Sequence, residues 1–387
     1  MSVAIKYPIY LDHNATTPTD PRVLNEMLPY FSTIFGNPAS IDHTHGLLAQ
    51  KAVSLARKKV AALIGAHEDE IIFTSGATES DNLAIRGITD ASKEKGNHII
   101  TCVTEHKAVL DTCKYLEKNG TKVTYLPVDR TGIVDLDKLV ETITKNTVLI
   151  SVMAANNEIG TIAPLKEIGK IAADYNIPFH TDAAQAAGHI PLNVEELGIN
   201  VMSISAHKMY GSKGIGALYV RRNVNRIKIS PILFGGGHEH GIRSGTLNVP
   251  GIVGIGKACE IAKKEMLREG ERLRLLRDKM VAAFKKEFPQ VELNGHPTQR
   301  LPNNLNISFP GVESKAIINS VKEYLSISAG SACTTTVVEP SYVINALGFG
   351  RERAFSSIRI GLGKTNTDEE VSTAVEIIVR AIRGDTN

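Results

Sequence analysis

The chain has 387 residues, enough for two or three domains, and 42% of them are hydrophobic, which can fill a sizeable core. Lys and Arg number 44 against 41 Asp and Glu, so the formal net charge of +3 offers no electrostatic footprint for nucleic acid or membrane and points to small-molecule chemistry. The four cysteines, Cys102, Cys113, Cys259 and Cys333, form no C-x-x-C pair, which argues against a metal site or a disulfide framework, and neither a signal-peptide pattern nor a run of about 18 apolar residues occurs, so a cytoplasmic protein is expected.

In chain order, IYLDHNATTPTDPRV passes from a short apolar strand into a Thr/Pro turn at 16–18, and 23–31 is predicted helical. From 46 to 64 the apolar residues Leu48, Ala52, Leu55, Ala56, Val60 and Leu63 recur at three- and four-residue steps, with Gly65 as C-cap, the pattern of a long amphipathic helix. EIIFTSGATESDNLAIRGI reads as a strand, a turn at Gly76 and a helix starting near Thr78. Such a start exposes unpaired N–H groups at the positive end of the helix dipole, where Ser75, Gly76, Ala77 and Thr78 can hold a phosphate. Taken alone, ordinary capping by Ser75 or Thr78 is the simpler reading.

The pattern repeats. A strand at 99–103 leads to His106 at a strand-to-helix corner, KVTYLPVD is a further strand, and TVLISVMAANNEIG is a buried one ending in Asn156, Asn157 and Glu158. IPFHTDAAQ ends its strand on Asp182, with Gln185 three residues on; VMSISAHKMYGSKGIG is a strand, a polar turn with Ser205, His207 and Lys208, and a glycine loop. Alternating strands and helices predict an α/β domain with a largely parallel sheet and a ligand site at the carboxyl ends of its strands. His106, Asn157, Asp182 and Lys208 all fall at such ends. A lysine directly after a buried strand has its ammonium form disfavoured by desolvation, which suits a Schiff-base lysine, although a turn lysine is more often simply solvated.

After Tyr219 come the glycine-rich GGGHEHGIRSGT and a helix beginning at GIVGIGKACEIAKKE. The stripe Leu273, Leu276, Met280 and Phe284 on an otherwise charged helix reads as a solvated connector. It leads to a second domain with the strands VELNG, NNLNISFPG and LSISAGSAC and the helices ESKAIINSVKEY, PSYVINALG and EEVSTAVEIIVRAI. The glycines of GSKGIG and GIVGIGKA do not form G-x-G-x-x-G between a strand and a helix, so a nucleotide fold is a weak rival.

A pyridoxal phosphate enzyme needs a lysine for the cofactor aldehyde, an acid for the pyridinium nitrogen, a phosphate cup and an aromatic plane over the ring. Lys208, Asp182, the 75–78 turn and His106 are candidates, with Gln185 for the ring oxygen. Each has a local alternative: Asp182 as an N-cap, Gln185 as a solvated amide, His106 as a corner cap. Singly these win; jointly they require a coincidence. Cys333 lies in SAGSACTTTVVEP, a loop without apolar periodicity, and is the one plausible nucleophile, whereas Cys102, Cys113 and Cys259 sit in apolar segments and behave as small hydrophobes.

SAHKMYGSKGIG, HTDAAQ, TSGATESDN, TEHKAVL, GGGHEHGIRSGT, SAGSACTTTVVEPSYV and SSIRIGLG together closely resemble the cysteine desulfurases of the NifS and IscS type, from about Tyr10 to about Ile382. The resemblance implies an α/β fold of the pyridoxal phosphate-dependent, aspartate aminotransferase-like kind. A large domain with a mixed, mostly parallel sheet (16–260) would be joined by a smaller α/β domain (1–15 and 261–387) carrying the catalytic cysteine loop. By the same resemblance Lys208 is the Schiff-base lysine, Asp182 the pyridinium partner, Gln185 the ring-oxygen partner and His106 the stacking acid/base. Ala77, Thr78, Ser205 and His207 fall in the phosphate site, and Thr246 reaches the phosphate of the other subunit of a homodimer. Asn157 and Arg359 hold the substrate carboxylate, and Cys333 carries the persulfide.

The expected reaction takes sulfur from L-cysteine, leaves L-alanine and passes the persulfide to an acceptor: an iron–sulfur scaffold, a tRNA-thiolating protein or a DNA phosphorothioation system. A selenocysteine lyase or an aminotransferase of the same fold is the alternative, and no direct nucleic-acid or membrane partner is expected. The chain departs from the family pattern at His240, where many relatives have arginine, in TTTVVEP after Cys333, and in stopping soon after its last predicted helix.

Overall fold

The structure is a computed structural model and describes residues 5–222, 227–330 and 340–384. After a short first strand, β1 (Ile9–Tyr10), seven strands build one sheet: β2 (Ile71–Thr74), β3 (His98–Cys102), β4 (Lys122–Leu126), β5 (Thr147–Ser151), β6 (Phe179–Asp182), β7 (Val201–Ser205) and β8 (Gly216–Val220). Their spatial order is β2-β8-β7-β6-β5-β3-β4. Pairing from β4 through to β7 is parallel, and β8 runs antiparallel to both of its neighbours.

The inner strands are buried along their whole length because helices cover both faces. Alternation along the strand sorts the side chains. Met202, Ile204, Ala217 and Tyr219 join Ala49, Val53 and Val60 of helix Thr44–Ile64 on one face. Val201, Leu218 and Val220 join Leu83, Ile85 and Ile88 of helix Ala77–Ala91 and Val109 and Leu116 of helix Lys107–Lys118 on the other. Gly65 ends helix Thr44–Ile64 in the left-handed conformation its position predicted. The single helix expected over 23–31 is instead two, Pro21–Met27 and Pro29–Ser32, since Pro29 supplies no N–H to continue the ladder.

A smaller layer holds β9 (Glu292–Leu293), β10 (Asn304–Ser308), β11 (Leu325–Ser326) and β12 (Ser357–Gly361). β12, β10 and β9 pair antiparallel, and β1 pairs in parallel with β11. The stripe Leu273, Leu276, Met280 and Phe284 is buried here against Ile9, Leu11, Ile307, Ile360 and Ile378, and so is not a solvated connector. It belongs to one continuous helix, Val249–Glu287, whose first turns pack in the larger core through Ile252 and Ile255. The expected domain boundary at 260/261 therefore falls within a helix. Among the described residues no helix is long and apolar enough to cross a membrane.

Candidate active site

A cavity of about 410 Å³ opens at the carboxyl ends of the parallel strands. It is lined by Ala77, Thr78, His106, Asn157, Asp182, Gln185, Ser205, His207, Lys208 and Arg359, which is every expected site residue but two. Thr246 does not line it and is exposed. Cys333 lies outside the described residues.

Lys208 closes the short turn after β7, and its Nζ donates to the carbonyl oxygens of Asn14 at 2.6 Å and Ala15 at 2.8 Å. Asn14 also accepts from Gln185 Nε2 at 2.8 Å, while Gln185 Oε1 accepts from Asn14 Nδ2 at 3.2 Å. Gln185 is thus not a solvated amide; it is locked to the chain's N-terminal segment. Asp182, buried at the end of β6, accepts the Ala184 N–H at 2.8 Å through Oδ1. His106 caps helix Lys107–Lys118 by accepting the Ala108 N–H on Nδ1 at 3.2 Å, which leaves the proton of the neutral ring on Nε2.

Helix Ala77–Ala91 starts at Gly76, with φ 153° and ψ −180°, and has no side-chain cap. A Cβ on Gly76 would meet nothing within 4 Å, so the open helix end faces empty space. Glu79, which also lines the cavity, accepts the Ser75 N–H at 2.8 Å and Arg243 Nε at 2.8 Å. The His207 ring contacts Thr16 Oγ1 at 3.0 Å, and burial together with the neighbouring Lys208 and Lys213 charges pushes its pKa down to about 4. It is a neutral donor or acceptor at neutral pH.

On the opposite wall Arg359 is 1% exposed. Its Nη1 donates to Asn157 O at 3.0 Å and its Nη2 to Asp12 Oδ1 at 2.8 Å. Arg359 Nε and Asn157 Oδ1 are buried with no hydrogen-bond partner among the described residues. Buried polar atoms of this kind need an explanation, and both residues line the cavity.

Sequence reasoning missed Asp12 and Asn14, which meet Arg359 and Lys208 across more than 190 residues. It also missed the acids beneath the site. Asp81 and Glu105 are fully buried, and burial, with the Asp182 charge adding to it, pushes both carboxyl groups well above the ordinary range. His180 bridges Ser151 at 2.9 Å and Ser203 at 3.1 Å, and its burial takes its pKa down to about 3. The one available signal was a charged or imidazole side chain inside an otherwise apolar strand or helix face. His240 is exposed, and it and Glu239 adopt left-handed φ values of 59° and 49°.

Residues 9–373 match the aminotransferase class-V family. The chain is 52% identical over 375 residues to cysteine desulfurase IscS of Rickettsia massiliae (strain Mtu5), covering 97% of this chain and 91% of that one. A solved NifS-like protein superposes with a TM-score of 0.91 at 39% identity, covering 97% of this chain and all of the other. SspA in complex with cysteine superposes with a TM-score of 0.80 at 37% identity, covering 91% and 98%. A match that spans nearly the whole of both chains means that the chain belongs to the aminotransferase class-V family and, within it, to the cysteine desulfurases.

Proposed function

We propose that the chain is a pyridoxal phosphate-dependent cysteine desulfurase that converts L-cysteine to L-alanine and leaves the sulfur on Cys333 as a persulfide for an acceptor protein. The observation that carries this reading is the meeting of Lys208, Asp182 and the uncapped end of helix Ala77–Ala91 in one cavity. These residues fit the cofactor. The open space at Gly76, with Thr78, Ser205 and His207 beside it, suits a phosphate, and the buried carboxylate of Asp182 suits a ring nitrogen. When bound, pyridoxal phosphate supplies an electron sink for charge left at the substrate Cα.

The chain's own groups divide the remaining work. Arg359 binds the substrate carboxylate through its unpartnered Nε, helped by Asn157. Lys208, held by Asn14 O and Ala15 O, is oriented to take the Cα proton, and His106, in the same cavity, returns a proton to carbon once its ring has taken up a second one. The Cys333 thiolate attacks the substrate sulfur; the S–S bond forms as the Cβ–S bond breaks, and the electron pair stays on carbon until it is protonated to give alanine.

A second copy of the chain belongs to this reading. Leu24, Leu28, Phe31, Phe35 and Ile41 leave 45% to 66% of their surface exposed, a concentration of apolar surface that supports an interface. Thr246 is exposed and away from its own chain's cavity, which supports its assignment to the partner's phosphate. The two separate cores support assigning 16–260 to a cofactor unit and 1–15 with 261–387 to a smaller one.

The test is sulfide and alanine release from L-cysteine with a thiol reductant. Native protein should form both in equal amounts, Cys333→Ser should keep the cofactor's yellow colour yet fail, and Lys208→Ala should lose the absorption of lysine-bound cofactor. Full turnover by Cys333→Ser would overturn the persulfide route in favour of a lyase or aminotransferase.

A further inference from the structure

Cys333 lies in the stretch 331–339, and the two described ends of that stretch meet at one side chain, Glu158. Glu158 follows Asn157 and is fully buried. Its Oε2 accepts the Ser341 hydroxyl at 2.5 Å. A Cβ added to Gly330 would stand 2.9 Å from the same oxygen and 3.6 Å from Ser341 Cβ. With φ at 140°, Gly330 is the residue both the backbone and the carboxylate demand. The chain thus departs and returns within one side chain's width.

Each end is stitched to residues around the cavity. Upstream, Ser328 exchanges main-chain hydrogen bonds with Arg359, at 3.2 and 2.6 Å, and its hydroxyl donates to Asp12 Oδ1 at 3.3 Å. Downstream, Ser341 caps helix Tyr342–Ala346, and Tyr342 Oη donates to Glu105 O at 2.6 Å, one residue before His106. Glu158 is itself fixed, since its carbonyl accepts from Asn304 at 3.2 Å and Asn306 at 3.1 Å.

We propose that Glu158 is a positioning residue for sulfur transfer: its carboxyl group bonds Ser341 and packs against Gly330, and so sets the base from which Cys333 reaches the substrate sulfur. The inference rests on the desulfurase reading. Cys333 follows Gly330 by three residues in the sequence, and a fixed base that near in the chain raises the effective concentration of the thiolate at the substrate. Carboxylate binding and Cα proton transfer use other groups, and this separates positioning from general support of the cavity.

Glu158→Ala and Ser341→Ala each remove the joint, and Glu158→Gln keeps an acceptor for Ser341. In the holoenzyme, single-turnover persulfide formation on Cys333, read by mass spectrometry, should fall about tenfold in both alanine variants, as expected where a buried hydrogen bond loses one partner, and less in Glu158→Gln. Exchange of the L-alanine Cα proton in D2O, which needs the cavity but not Cys333, should stay within about twofold of native. The rate of Cys333 alkylation by iodoacetamide, which does not depend on the desulfurase reading, should change severalfold in both alanine variants. Persulfide formation at the native rate, a parallel loss of Cα exchange, or unchanged alkylation would each overturn the positioning role. Altered alkylation in variants of a native protein that forms no persulfide would overturn the desulfurase reading and uphold the joint.

Discussion

Arg359→Lys tests the carboxylate wall directly. The native guanidinium uses Nη1 for Asn157 O and Nη2 for Asp12, and keeps a buried Nε–H without a partner. A lysine keeps the positive charge opposite Asp12 but presents a point charge instead of a planar fork. The substrate carboxylate would lose the Nε–H bond and its fixed orientation. A hydrogen bond to a charged group contributes about 1.5–3 kcal/mol, so the loss predicts an L-cysteine Kd raised roughly 10- to 100-fold. The assay is titration of the holoenzyme with L-cysteine and, separately, with L-alanine, followed by the cofactor's absorption. The two amino acids share the carboxylate and differ in sulfur, so both should weaken by the same factor. Unchanged L-alanine affinity beside weakened L-cysteine affinity would refute the assignment, and so would a change below about twofold in both.

Glu239 ties the glycine-rich loop to the larger core: it accepts from Arg57 at 2.6 and 2.9 Å and from the Phe73 N–H at 2.7 Å, with 3% of its side chain exposed. Glu239→Ala strands that guanidinium, which retains Ile71 O and the Phe73 ring, so a cost near the lower end for a broken buried pair, about 3 kcal/mol, is expected as a Tm drop of about 4 °C by calorimetry. Gly76→Ala forces a side chain into a backbone region that glycine alone adopts readily, and unfolding of the cofactor-free protein should show about 1–3 kcal/mol of destabilisation. His13 is 2% exposed, neither ring nitrogen has a partner among the described residues, and burial, aided by His189, pushes its pKa down to about 4. Because its folded pKa lies below the unfolded value near 6.5, the unfolded chain binds the proton first, and the His13 contribution is complete above that value and lost as pH falls toward 4. Native protein should therefore lose about 2 kcal/mol relative to His13→Gln between pH 7.5 and pH 5 in urea unfolding; parallel stability curves would contradict the shift.

The positions of Lys208, Asp182, His106 and the Gly76 turn were legible because each sits where a buried strand gives way to a polar turn or a helix start, and such a corner is written in about ten consecutive residues: an apolar run, a polar residue, then turn residues or a helical period. Asp12, Asn14, Asp81 and Glu105 were not legible. Asp12 and Asn14 act through partners on distant strands, and nothing local distinguishes a polar residue after a short strand from a solvated turn. Asp81 lies in the first turns of a helix, where an acidic residue has an ordinary capping explanation; only the sheet beneath it turns it into a buried acid. The charged helix from 263 onward misled for a related reason. Its stripe is narrow enough to read as solvated, and burial came from β10, β12 and the last helix, contributed by chain much further on.

By itself, then, the sequence determined the alternation of strand and helix, the corner residues and the order of the family's motifs, because these are properties of short stretches set by period, turn chemistry and propensity. The tertiary structure decided which corners face one another, how Asn14 meets Lys208, how Asp12 shares Arg359, and how Glu158 bonds Ser341 beside Gly330. Those contacts arise between residues brought together by burial of two cores, and a contact of that kind leaves no periodic trace along the chain.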